Sequence, residues 1–141
     1  MRLWHQALLP YLDRQRLLSQ HRECCALRGK GWGRKHATVD YVFTHEYSML
    51  YKYHIKVIEE MLDRGYHPDL RWLECSYRGL SDVPPFTTKE EDAGLYFVAY
   101  HFPGIVYPEH DEAYLKECIT LLKAKNAPID FEKVERELGL K

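Results

Sequence analysis

Apolar side chains recur at helical spacing in three separate stretches of this chain, and nowhere does a strand's two-residue alternation persist beyond a few residues. That pattern restricts the fold to packed helices. The first stretch follows Asp13, a candidate N-cap, and runs from Arg14 to Arg28, where Gly29 stops it. At 100° per residue, Arg14, Leu17, Leu18, His21, Cys24, Cys25 and Arg28 share one stripe, predicted to face the core with its terminal arginines snorkelling. Arg16, Gln20, Glu23 and Leu27 lie on a different face, so Glu23 is expected in solvent or in a cleft. A second helix is predicted over 46–64, capped by Thr44, stopped at Gly65, and buried through Leu50, His54, Val57, Ile58, Met61 and Leu62. A third covers 111–123 through Leu115, Cys118, Ile119 and Leu122. Pro128 and Asp130 introduce a short last helix that Gly139 ends. Between them, 66–87 reads as irregular, and Thr88-Lys89-Glu90-Glu91 is a capping box opening a short helix toward Tyr100. The expected fold class is all-α, a compact single-domain helical fold with long loops over residues 1–141.

Length supports one such domain. A chain of 141 residues, 45% hydrophobic, can bury roughly two-thirds of its unfolded surface without staples. The four cysteines, Cys24, Cys25, Cys75 and Cys118, include an adjacent pair and form no disulfide framework, so reduced thiols are expected. No apolar run approaches the roughly 20 residues a membrane span needs, and Trp4-His5-Gln6 interrupts any secretory apolar region. A cytoplasmic location is expected, with no membrane and no obligate protein partner implied.

Charge is unevenly spread. The first 36 residues hold Arg2, Arg14, Arg16, Arg22, Arg28, Lys30, Arg34 and Lys35 against only Asp13 and Glu23, or +6, while the remainder carries −7. Such a segment suits a polyanion, and a lone carboxylate within it could act on a bound substrate; the alternative is a solvated basic face paired to acidic helices. Gly29-Lys30-Gly31-Trp32-Gly33-Arg34-Lys35-His36 is the most unusual loop. Its alternating glycines would let backbone N–H groups approach a phosphate, and Trp32 could stack on a base. It is not a nucleotide-binding P-loop, because no strand precedes it and the Gly-Lys-Ser/Thr ending is absent. The other reading is a plain connection with Trp32 folded onto the core.

No His-Glu-x-x-His or Cys-x-x-Cys motif is present, so no metal and no cofactor is expected. His21 and His54 read as core histidines, and a metal would require His5, His45 and His110 to converge. Nothing in the sequence singles out a histidine partner for any cysteine.

Met1-Arg2-Leu3-Trp4, Arg22-Glu23 and Lys35-His36, in that order, resemble the start of the pyrimidine-dimer DNA glycosylases of the bacteriophage endonuclease V type. Residues 55–66, ending Arg64-Gly65-Tyr66, resemble the family's second helix. Ser81-Asp82-Val83-Pro84 and Tyr107-Pro108-Glu109-His110 resemble later motifs, and 86–106 looks like an insertion. The likeness covers about 1–66 and 79–122, and the family's fold is a compact helical domain.

The resemblance implies damaged double-stranded DNA as the partner and the N-terminal α-amine as nucleophile toward the sugar C1′. Here the amine would be that of Met1, since a residue as large as Arg2 prevents methionine removal. An α-amine titrates at about 7.7–8.0, so roughly a tenth to a fifth is free at neutral pH. Attack would give an imine and then β-elimination, with glycosylase and abasic-site lyase activities. Glu23 matches the family carboxylate that stabilises the cationic sugar and moves protons. Arg2 and Arg22 match phosphate-holding residues, and Arg28, Lys30, Trp32, Arg34, Lys35 and His36 complete the expected DNA-binding set. Three features depart from the phage enzyme: Ala26-Leu27 stands where it has a further arginine, so that only Arg28 could substitute; Met1 replaces a small processed residue; and Asp130–Lys141 has no basic aromatic tail. The alternatives are a non-catalytic nucleic-acid-binding module of the same fold and, third, a histidine-based metal hydrolase.

Overall fold

A computed structural model describes residues 2–34, 39–80, 84–85 and 104–140. The fold is all-α. Among the described residues its helices are α1 (Arg14–Arg28), α2 (Asp40–Thr44), α3 (Tyr47–Asp63), α4 (Glu112–Ala124) and α5 (Phe131–Glu137), with 3-10 turns at Gln6–Tyr11 and Leu70–Leu73. No strand occurs among the described residues. Lys35 and His36, the capping box at 88–91 and most of the 86–106 segment lie outside them, as does Met1.

α1 packs along α3, and the Gln6–Tyr11 turn and α2 close on α3 from its two ends. One apolar cluster runs from Leu3 through Leu17, Leu27, Leu50, Val57, Met61, Leu115, Ile119 and Leu122 to Val134. Of the predicted core residues, Leu18, His21 and Cys25 stay half-buried, and Leu62 is 41% exposed. The predicted stops hold. Gly65 takes φ +82°, its N–H bonds the Leu62 carbonyl, and the Tyr66 N–H reaches Met61. That closes α3 with the six-to-one and five-to-two bonds of a Schellman motif, for which the left-handed glycine is required. Asp111 and Asp130 cap α4 and α5, accepting from the backbone N–H of Tyr114 and Lys133.

Two predicted caps behave differently. Thr44 ends α2 and donates to the Tyr41 carbonyl, and Glu46 holds the cap position of α3 without a side-chain bond. Asp13 sits at the α1 cap, but its carboxylate pairs with Arg16 instead of the helix N–H groups. The assignment of one core stripe to α1 also needs correction: Gln20 and Leu27 are buried with Leu17, Cys24 and Arg28, whereas His21 and Cys25 are only half-buried. α1 is covered on two sides, by α3 and by the extended residues 2–5, and a single-stripe reading misses the second cover.

Candidate active site

Residues 2–4 form an extended strap whose backbone is held by side chains from three helices. Gln20 of α1 donates to the Arg2 carbonyl at 3.1 Å and accepts from the Trp4 N–H at 2.8 Å. Tyr114 of α4 donates to the Leu3 carbonyl at 2.6 Å, and Tyr53 of α3 donates to the Trp4 carbonyl at 2.6 Å. Buried backbone groups need partners, and a strap with no sheet to join finds them in these side chains. Leu3 and Trp4 anchor it in the core beneath.

Glu23 stands one turn after Gln20 on the same side of α1, half-buried, and its Oε2 accepts from Gln20 Nε2 at 3.0 Å. Burial raises its pKa above the usual carboxylate value, against the pull of the Arg22 charge, the Gln20 hydrogen bond and Lys125 at the end of α4. A carboxylate balanced in this way can stabilise positive charge and exchange a proton. Gln20 and Lys125 are additions that the sequence reading missed. Gln20 carries only a weak signal, its three-residue spacing from Glu23, and Lys125 carries none.

Arg22 adds its charge beside the carboxylate, whereas Arg2 turns toward α4. The Arg2 guanidinium lies 5.6 Å over the Tyr114 ring and 3.8 Å from Glu117. Arg22 is exposed and donates to Ser19 Oγ. Lys30 and Arg34 are exposed beyond the end of α1, with Arg34 Nε on the Lys30 carbonyl.

Arg28 is not on that surface, which corrects its assignment to DNA. Its side chain is fully buried, and all five N–H donors are engaged: Nε on the Tyr47 hydroxyl, Nη1 on His54 Nδ1 and the Trp72 carbonyl, Nη2 on the carbonyls of Glu74 and Tyr77. Trp72 and Tyr51 add ring faces at 4.9 and 5.3 Å. No donor is left for a phosphate.

The glycine loop is corrected in the same sense. The N–H groups of Gly29, Gly31, Trp32 and Arg34 bond carbonyls at the end of α1 and within the turn. A Cβ on Gly31 would stand 2.7 Å from the Ala26 carbonyl oxygen, so this glycine serves a close backbone approach. Trp32 packs edge-on against Phe43 and Tyr47 at 5.3 and 5.4 Å, which is the core-folded arrangement.

The histidines divide into two groups. His5 and His110 are buried and stacked at 5.4 Å, but His45 turns to Glu109 at 2.9 Å, so these three do not converge. His110 Nδ1 accepts from the Gln6 N–H, its Nε2 meets the Tyr41 hydroxyl at 2.8 Å, and burial lowers its pKa to about 3. His21, Cys25 and His54 do converge, with one ligand atom each within 4.8 Å of the others. The second shell has the wrong polarity for a metal. Arg28 donates to His54 Nδ1, so the ring proton sits on Nε2 and points at His21 Nδ1, 2.9 Å away. A metal on Nε2 would force that proton onto Nδ1, against the Arg28 donor. Burial pushes the Cys25 thiol up to about 12, which leaves it neither a ready ligand nor a nucleophile at neutral pH. The trio is a hydrogen-bonded chain that satisfies Arg28.

A small helical protein with a half-buried carboxylate bonded into its N-terminal strap, and cations at the rim, is the class that this fold and site define. The chain belongs to the pyrimidine dimer DNA glycosylase family, whose model matches residues 1–74 and so spans the strap, Gln20, Arg22-Glu23 and all of α1 to α3. Membership makes DNA-repair glycosylase the general activity and DNA the substrate. No curated protein and no solved structure matches the chain.

Proposed function

We propose that the protein is a DNA glycosylase and abasic-site lyase that works through an imine to the Met1 α-amine, with Glu23 as its carboxylate. The supporting observation is the Gln20 carboxamide, which bonds both the Arg2 carbonyl and Glu23. Chain continuity then keeps the amine within one residue of a backbone group tied to the carboxylate. The free amine attacks C1′, the glycosidic bond breaks, and the base leaves with the electron pair and takes up a proton. Opening of the sugar ring gives the iminium. Loss of a C2′ proton then expels the 3′ phosphate, and hydrolysis releases the amine. Glu23 stabilises the positive charge and shuttles the C2′ proton, while Arg2, Arg22, Lys30 and Arg34 hold phosphates.

The test is borohydride reduction of the untagged protein on a duplex carrying one thymine dimer or one abasic site. A covalent protein–DNA adduct is expected on both duplexes and should vanish when the N-terminus is extended or acetylated. Binding without base release or adduct would identify a non-catalytic module of the same fold.

A further inference from the structure

The Gln20 carboxamide is 1% exposed and joins the strap to Glu23 of its own helix and to Tyr53 of α3. Its Nε2 donates to Glu23 Oε2 and to the Arg2 carbonyl, and its Oε1 accepts from the Trp4 N–H. The Tyr53 hydroxyl lies 3.1 Å from that oxygen while donating to Trp4. The amide orientation is fixed by its partners, since a backbone N–H only donates and a carbonyl only accepts. A buried amide with both ends engaged is a rigid link, and α1 is the rigid element that carries it.

We propose that Gln20 is a positioning residue of the reaction, setting the distance between the nucleophile-bearing strap and the Glu23 carboxylate. The inference rests on the imine reading above. An amine and a carboxylate on separate chain segments need a common support, because a displacement of about 1 Å can cost about 10²-fold in rate. Gln20 supplies that support from the helix that carries Glu23 itself. It also donates to the ionised carboxylate, which favours the charged form against burial. The charges acting on Glu23 are those of the N-terminus, of Arg22 on α1 and of Lys125 after α4.

Two variants separate this role from a general contribution to folding. Gln20→Met removes both the donor and the acceptor of the amide. Gln20→Glu keeps an oxygen for the Trp4 N–H and replaces the amide donors to Arg2 and Glu23 with a second carboxyl group. In single-turnover reactions on a thymine-dimer duplex, each folded variant should lose about 10²-fold in the rate of glycosidic-bond cleavage, read as alkali-labile strand breaks, while duplex affinity changes by about twofold or less. In Gln20→Met the acid limb of the pH–rate profile should move up by about one pH unit, because Glu23 loses a donor that favours its ionised form. In Gln20→Glu it should move up further, because a like charge is added beside Glu23. A loss of packing alone would not shift that limb. A folded variant with wild-type rate and wild-type acid limb would overturn the proposal.

A measurement on the wild type avoids any change at Gln20. The Gln20 side-chain amide resonances should titrate with Glu23 and stop doing so in Glu23→Gln. Resonances indifferent to pH in the wild type would overturn the proposal even if neither variant folds. Failure of the wild type to trap on an abasic duplex would instead remove the imine reading itself. The two failures are therefore distinguishable.

Discussion

Glu23 keeps a charge in a half-buried place because its neighbours are chosen for it: a carboxamide donor one turn earlier, Arg22 beside it, and Lys125 from the far end of the chain. Glu23→Gln preserves shape and removes the charge and the proton carrier. Base release should fall by about two orders of magnitude or more, with duplex affinity retained, as read by single-turnover kinetics beside a binding titration. An unchanged rate would take Glu23 out of the chemistry. The sequence made Glu23 conspicuous as a lone acid among arginines, but it placed Gln20 on an outward face. Helical periodicity records one burial direction at a time, and the strap that covers Gln20 is an extended segment without a periodic signature. Arg28 shows the opposite failure. A guanidinium at the end of a basic helix looks like a phosphate ligand until the carbonyls of a segment 44 to 49 residues away close around it.

At the scale of elements, α1 is tied to the segment after α3 by two arginines working in opposite directions. Arg28 reaches from the end of α1 to the carbonyls of Trp72, Glu74 and Tyr77, and Arg78 reaches back to the carbonyls of Arg28 and Gly29. Arg78 thereby caps the α1 C-terminus with a cation, where the helix dipole favours one. Arg28→Lys keeps the charge but offers three donors to five acceptors. It should lower unfolding free energy in urea by about 2–4 kcal/mol and leave the salt dependence of DNA binding untouched. Arg22→Ala should do the reverse, reducing the log–log salt slope by about 0.9 with little change in stability. A reduced slope in Arg28→Lys would restore that residue to the DNA surface. The helices α1, α3, α4 and α5 were legible because caps, glycine stops and apolar spacing agree there. α2 and the two 3-10 turns were not, since pieces of four to six residues are too short to show a period.

For the whole molecule, buried histidines couple the fold to pH. Burial lowers the pKa of His54 well below its ordinary value and that of His110 to about 3, whereas both titrate near 6.5 when unfolded. The unfolded chain thus binds more protons between those limits, and stability rises with pH there. Their contribution is complete above about pH 6.5 and is lost as pH falls toward the folded values, at up to about 1.4 kcal/mol per unit for each. Glu23 and Glu59, whose pKa values burial raises, oppose this only nearer the carboxylate range. The melting temperature should therefore drop steadily between pH 7 and pH 5, and a flat profile over that interval would contradict the buried neutral state. The strap carries a different consequence, one of timing. Residues 2–4 leave the ribosome well before α4, and the Leu3 carbonyl waits for Tyr114, 111 residues later. At about 5–20 residues per second that interval lasts roughly ten seconds. Enzymes that trim or modify new N-termini have their access in that interval, before α4 exists to seat the strap. The strap is therefore open to such enzymes during synthesis and closed to them once α4 has docked.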